Sequence, residues 1–379
     1  NSISMSQADY ALEHLVPNVK FVASTTTTTG MGELRRRLPT HVSKIYYPVD
    51  RRKYVSRALA VINPQAVVLV EAEIWPNFIW RAQKLGIPLF LANARLSDRS
   101  FPRYKRFKFL FRPLFAAFDG VGAQNEADAV RLREVGCRPH AVKVVGSLKF
   151  DAAKLDEKRS LDVPALLRQL GVPPDALVLL GGSTHDGEEK MLAEIMQRLR
   201  GRFPKLFLIL VPRHFERGRE LARKLRGQGV KLAVRSELST RDQFSSGDID
   251  GILVNTTGEL RFFYEHADVV FIGKSLTAIG GQNPIEPGAL GRAMVCGPNM
   301  QNFADVTRAF VTRDALVQVR RPEDLEPAVA ELLATPERRA ELGRHAQAVV
   351  AENLGAVERT VALIVEKLRT RGIYIAPEK

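Results

Sequence analysis

Cysteine is scarce in this 379-residue chain: Cys137 and Cys296 stand far apart and match no metal-ligand spacing. That excludes a disulfide-stapled fold and a cysteine-based metal site, and it marks the pair as cytosolic thiols. Long apolar runs are also missing, none approaching the ~18 residues that span a bilayer. No signal peptide is visible, and because the first residue is Asn1 rather than Met, upstream sequence is expected to be missing. Carboxylates are in deficit, with 42 Asp and Glu against 56 Lys and Arg, for a net charge of +14. Such a balance calls for an anionic partner: nucleic acid, an anionic membrane or a phosphorylated substrate. Motifs of the common nucleic-acid modules are absent, so nucleic acid is not expected. Apolar residues are not short: at 45% hydrophobic the chain is too apolar for intrinsic disorder, and its length suits two domains.

Short β-rich runs alternate with helical ones from end to end. Strands are expected at "VKFVAST", "SKIYYPV", "AVVLVEAE", "IPLFLANA", "FDGVGAQ" and "HAVKVVG" in the first half. They recur at "ALVLLGGS", "KLFLILVPR", "GILVN", "ADVVFIGKS" and "AMVCGP" in the second. Continuous apolar strands separated by amphipathic helices such as "NFIWRAQKLG" and "GEEKMLAEIMQRLRGRF" imply parallel sheets covered on both faces. The charged stretch "DAAKLDEKRSLDVP" reads as a linker, giving domains over 1–160 and 161–379, and the end of the chain reads as helix. The fold class is therefore α/β, with two doubly wound Rossmann-like domains.

Ligands of wound sheets bind beyond the carboxyl ends of the strands, where this sequence turns small and polar. In "GGQNPIEP", Asn283 suits the N-cap, Pro284 the first helical position and Glu286 the third, ahead of which Gly280 and Gly281 let backbone approach a ligand. The amides of such a helix start form an anion site, although a plain capping box and turn would use the same residues. In "VPRH", Pro212 ends a strand and Arg213 offers a bidentate guanidinium. In "STHDGEE", Ser183 or Thr184 leads into another helix start beside His185. In "NTTGEL", Thr257 and flexible Gly258 precede Glu259, an acceptor for sugar hydroxyls. Several such loops on one domain point to a nucleotide carrying a phosphate. The phosphate-loop lysine motif is absent.

With "VEAEIWPN", "LANARLSDRS", "AQNEADA", "GSLKFD", "STHDGEE", "LVPRH", "TTGEL" and "GGQNPIEPGALG…GPNMQNF" in order, the sequence resembles the 3-deoxy-D-manno-octulosonic acid (Kdo) transferases of lipopolysaccharide synthesis through almost its whole length. The resemblance implies a GT-B glycosyltransferase whose two domains face a central cleft. It would act at the cytoplasmic face of the inner membrane, moving Kdo from CMP-Kdo to a phosphorylated lipid A precursor with no metal and no cofactor. The first domain would hold the acceptor and the second the donor. Pro212 and Arg213, then Thr257, Gly258 and Glu259, then Asn283, Pro284, Ile285 and Glu286 match segments that contact CMP in the family. Ser183, Thr184, His185, Gly280 and Gly281 would serve donor sugar or phosphate. Gln282 stands where the commoner pattern has His, and Asn255 where it often has Asp.

On the first domain the resemblance assigns transition-state stabilisation to a glutamate and a lysine, matched by Glu71 and Glu73, set on one face of a strand, and by Lys149. A solvated lysine and a charged rim are the plainer reading of the same residues. The basic, aromatic stretch "RYKRFKFLFRPLF", with Arg103, Lys105, Arg106 and Lys108, suits the anionic membrane surface or the acceptor's phosphates, or else an amphipathic helix packed on the core. "ELRRRL" adds positive charge. Finally, "ISMSQ" occupies the place where the family carries its general-base glutamate, so by this alignment Gln7 replaces the glutamate and Ser6 a glycine. An engineered change, a natural variant using another base and a shifted alignment of the segment stay open, and a membrane anchor is expected upstream. A neutral amide is a poor proton acceptor. The alternative to an active transferase is therefore an impaired homologue that still binds CMP-sugar or acceptor, and a third reading, a GT-B epimerase or another sugar transferase, predicts UDP-sugar binding instead.

Overall fold

A computed structural model describes residues 20–71, 73–97, 100–151 and 161–373. They divide into two compact units. One holds the described residues up to Asp151 and again those from Asn353 onward; the other runs from Leu161 to Glu352.

In the first unit, β1 (Val22–Thr25) and β2 (Ser43–Tyr46) form a two-stranded parallel sheet. A four-stranded parallel sheet follows in sequence order: β3 (Val67–Val70), β4 (Leu89–Ala94), β5 (Gly120–Ala123) and β6 (Val142–Val144). Every residue of β4 and β5 is buried, as a central parallel strand requires. One core packs Leu89, Leu91, Phe115, Phe118 and Val121 against the helices Arg52–Ile62, Pro76–Lys84 and Glu126–Val135.

The second unit carries a seven-stranded parallel sheet of β7 (Val178–Thr184), β8 (Phe207–Pro212), β9 (Leu232–Val234), β10 (Gly251–Leu253), β11 (Val269–Ile272), β12 (Ala293–Cys296) and β13 (Val317–Gln318). Its spatial order is β13-β12-β11-β7-β8-β10-β9. From β7 the chain first moves to one side, to β8, and later returns to the other, to β11. The winding therefore reverses between β7 and β11, the place where ligands of open α/β sheets bind. Gly182 in β7 is required by packing: a Cβ there would stand 2.6 Å from the buried Tyr264 hydroxyl.

The division at 160/161 is corrected at its far end. The helix Ala356–Thr370 belongs to the first unit, because its apolar stripe has a berth there. Ile364 and Leu368 pack on Phe90, and Val357 and Val361 pack on Leu148. Lys143 pairs with Glu366 at 2.7 Å, and Arg359 donates to the Val145 carbonyl at 2.8 Å. Both cysteines are buried, and burial pushes each thiol up to about 12. No helix among the described residues is long and apolar enough to cross a membrane.

Candidate functional site

The loops at the carboxyl edge of the seven-stranded sheet are tied together by one buried side chain. Glu188, at the start of the helix Glu188–Leu199, accepts from the amides of His185 at 2.8 Å, Lys274 at 2.7 Å, Ser275 at 2.9 Å and Leu276 at 3.0 Å. A carboxylate removed from water needs such partners. It thereby fixes the loop after β7 to the loop after β11. Ser183 turns this corner in the left-handed region, φ 52°, and is half-buried. The cap differs from the expected one: Gly187, not Ser183 or Thr184, precedes the helix, and its φ of 88° favours glycine. Thr184 is buried and its hydroxyl donates to Glu189 at 3.1 Å, so it braces the loop. Burial raises the Glu189 carboxyl, an effect opposed by its hydrogen bonds and by Arg217.

Arg213 leaves the end of β8 exposed, behind the buried Pro212, and its amide donates to the Thr184 carbonyl at 3.0 Å. The His185 and His214 rings face each other edge to face, 6.1 Å apart. After β10, Thr257 and Gly258 are exposed, Gly258 with φ 83°. Glu259 is not a free acceptor: it takes hydrogen bonds from Arg235 at 3.1 Å and from Thr256 at 2.5 Å. Asn255 is likewise engaged, with Ser236.

Gly280 and Gly281 adopt φ 132° and 70°, and a Cβ on Gly281 would meet the Met300 sulfur at 2.5 Å. The Gly280 amide donates to Gln301 at 2.9 Å and its carbonyl accepts from Asn302 at 2.8 Å, which pins the glycine pair to the segment after β12. The following helix is only Ile285–Ala289, and Pro284 takes the cap position. Asn283 still accepts from the Ile285 amide at 3.0 Å, but Glu286 reaches the Asn283 side-chain amide at 3.2 Å instead of closing a capping box on backbone. Five residues make a short dipole, so side chains at this edge carry more of any anion binding than the helix start does. Burial raises the Glu286 carboxyl, opposed by the Asn283 hydrogen bond and by Arg261.

In the first unit, β3 stops at Val70, so Glu71 and Glu73 lie beyond it and the expected strand alternation does not govern them. Glu71 is half-buried with φ 63°, its amide donating to the Ala92 carbonyl at 2.9 Å. Glu73 is exposed and accepts from the Trp75 indole at 2.5 Å. Asp50 accepts from the amides of Asn77 and Phe78, at 3.1 and 2.9 Å, and so caps the helix Pro76–Lys84. Lys149 sits half-buried on a one-turn helix, Leu148–Asp151, gripped at both ends. Buried Asn93 accepts from the Leu148 amide at 3.2 Å, and Asp151 accepts from the amides of Gly355 and Val357 at 2.7 Å each.

The basic stretch forms two helices, Phe101–Arg106 and Lys108–Ala116, broken at Phe107. Leu114 and Phe115 are buried, whereas Phe109 is 80% and Leu110 52% exposed. Around them Arg103, Arg106 and Lys108 are exposed, and Lys105 pairs with Glu134 at 2.9 Å. In "ELRRRL", Glu33 pairs with Arg36 and Arg37, which offsets part of that charge. Gln7 lies outside the described residues. The sequence did not single out Glu188 or Lys274. The pair "EE" at a helix start reads as solvated charge, and only the strand order puts Glu188 beneath the β11 loop.

The family model described as 3-deoxy-D-manno-octulosonic-acid transferase (kdotransferase) matches residues 6–152. A 3-deoxy-D-manno-octulosonic acid transferase of Haemophilus influenzae is 30% identical over 356 residues, covering 93% of this chain and 81% of the relative. That of Bordetella pertussis is 33% identical over 344 residues, covering 89% and 78%. Among solved structures, UDP-GlcNAc 2-epimerase from Neisseria meningitidis bound to UDP-GlcNAc aligns with a TM-score of 0.62 over 97% of this chain and 96% of that one, at 14% identity. The likeness to the epimerase is one of fold, the GT-B type.

Proposed function

The chain belongs to the 3-deoxy-D-manno-octulosonic acid transferase family, and from that membership we propose that it moves Kdo from CMP-Kdo to a phosphorylated lipid A precursor, by direct displacement with inversion. The observation that carries the reading is the edge shared by Arg213, Thr257–Gly258 and Asn283–Glu286, on loops that follow the strands of one parallel sheet. These are the segments whose resemblance assigns them to CMP. In the displacement the acceptor hydroxyl oxygen bonds to the anomeric carbon of Kdo while the bond from that carbon to the CMP phosphate oxygen breaks. The hydroxyl proton passes to a base. Lys149 and the Glu71–Glu73 pair are the first unit's contribution to stabilising the charge that shifts. CMP-Kdo is the donor substrate, and the scheme calls for no resident metal or cofactor. The site of action is the cytoplasmic face of the inner membrane, approached through the exposed Phe107, Phe109 and Leu110 and the cations around them.

A second reading rests on one residue. Gln7 stands at the family's glutamate position, and an amide does not take up the hydroxyl proton, so the chain would bind its substrates and transfer slowly. The test is Kdo transfer from CMP-Kdo to a lipid A precursor by this chain and by Gln7→Glu. General-base catalysis contributes about 10²–10⁴-fold. A gain of that order with glutamate supports the impaired homologue, and equal transfer by both chains supports an active enzyme with its base elsewhere. No transfer by either chain, with no uptake of CMP, overturns both readings.

A further inference from the structure

Lys274 follows β11 with φ 56°, in the left-handed region where a residue bearing a Cβ is strained and glycine is the ordinary occupant. Its backbone is held there from two sides: its amide donates to Glu188 at 2.7 Å, and its carbonyl accepts from the Gly281 amide at 2.9 Å. Glycine would make both bonds without strain. Backbone geometry therefore does not account for the lysine, and strain of this kind gathers where a side chain is needed.

The side chain is placed for a ligand. Its Cε lies 3.4 Å from where a Cβ would stand on Gly280, so the stem runs beside the glycine pair, and the residue is half-buried. Its ammonium has no ion pair or hydrogen bond among the described residues. Three consecutive amides, of Lys274, Ser275 and Leu276, form the kind of nest that elsewhere cradles a phosphate, but here Glu188 fills it. With those donors occupied, the ammonium is the positive group that the β11 loop still offers. The lysine also stands at the reversal of winding between β7 and β11.

We infer that Lys274 is a phosphate-binding residue of the donor site, its Nζ donating to an oxygen of the nucleotide's phosphate. The inference rests on the reading of the second unit as a CMP-sugar site and adds to that reading a cation that the resemblance does not assign.

Calorimetric titration of the full chain with CMP tests it, with Lys274→Met, Lys274→Arg and Lys274→Gly alongside and thermal unfolding of each. A charge-assisted contact to phosphate gives a loss of about tenfold or more when the charge goes. Lys274→Met is expected to show that loss, and Lys274→Arg to retain most of the affinity. Lys274→Gly should bind as weakly as Lys274→Met while unfolding at a higher temperature, because the strained conformation suits it. Lys274→Met binding CMP as tightly as the wild type overturns the inference alone, as does Lys274→Gly unfolding at a lower temperature. A wild-type chain that takes up no CMP at millimolar concentration removes the donor reading itself and the inference with it.

Discussion

At position 286 a carboxyl must ionise where burial opposes it. Glu286 has lost most of its water, and a hydrogen bond from Asn283 together with the charge of Arg261 returns only part of the difference, so its pKa stays raised. The buried Tyr264 phenol is raised as well, by burial first and then by the Glu286 charge. A carboxyl whose folded pKa exceeds its unfolded value favours the folded state most below the unfolded pKa, about 4.5 here, and that contribution is lost as pH rises through the folded pKa. Glu286→Gln keeps an oxygen for Asn283 and removes the ionisation. It should therefore unfold at a higher temperature than the wild type at pH 8, with the gain shrinking towards pH 4.5, while binding CMP more weakly. Thermal scans across that range check the sign; a gain that grew as pH fell would contradict it.

Among the elements, the helix Ala356–Thr370 shows how a single acceptor can seat a whole segment. Its cap position is Gly355, which has no side chain to cap with, and the two amides at this start are received by Asp151, from far away in the sequence. Asp151→Ala leaves both without that partner, at a cost of about 1–3 kcal/mol. Urea unfolding should show the loss, with Asp151→Asn falling between alanine and wild type. This link was not legible in the sequence, where "DAAKLDEKRSLDVP" reads as linker and Asp151 as one of its charges. Strands were legible wherever an apolar run was long enough to be unmistakable, as in β4, β7, β8 and β11. β9 escaped because its three residues sit between Lys231 and Arg235, and β13 because it is two residues long. Asn283 and Glu286 were legible as partners but not in the bond they make, since the helix starts one residue later than expected, with Pro284 rather than Asn283 at the cap. Lys274 was invisible as a site residue because nothing in "FIGKSL" discloses a left-handed backbone.

For the whole molecule, the surplus of +14 becomes meaningful through where the apolar side chains surface. Phe109 and Leu110 are exposed on a helix flanked by arginine and lysine, an arrangement suited to the boundary between headgroups and acyl chains. Binding to vesicles containing anionic lipid should weaken when Phe109 is replaced by serine, by roughly the transfer energy of a phenyl ring, about 1.5–3 kcal/mol. Raising the salt from 0.1 to 0.5 M should weaken it separately through screening. Sedimentation with vesicles of neutral and anionic composition distinguishes the two contributions, and a Phe109→Ser chain that sediments like the wild type would remove the helix from the contact.

The chain passes from the first unit into the second after Asp151 and comes back near Asn353. Synthesis runs from the amino end, and domains ordinarily fold in that order as they emerge. Here the order is inverted. The unit begun first lacks the helix that covers Phe90 and Leu148 until residues 356–370 have left the ribosome, whereas the unit begun second is contiguous and has all its strands earlier. The nascent protein must therefore carry a sheet with an apolar face open through the making of some two hundred further residues, and a chain broken off before residue 356 would have its second unit complete and its first uncovered.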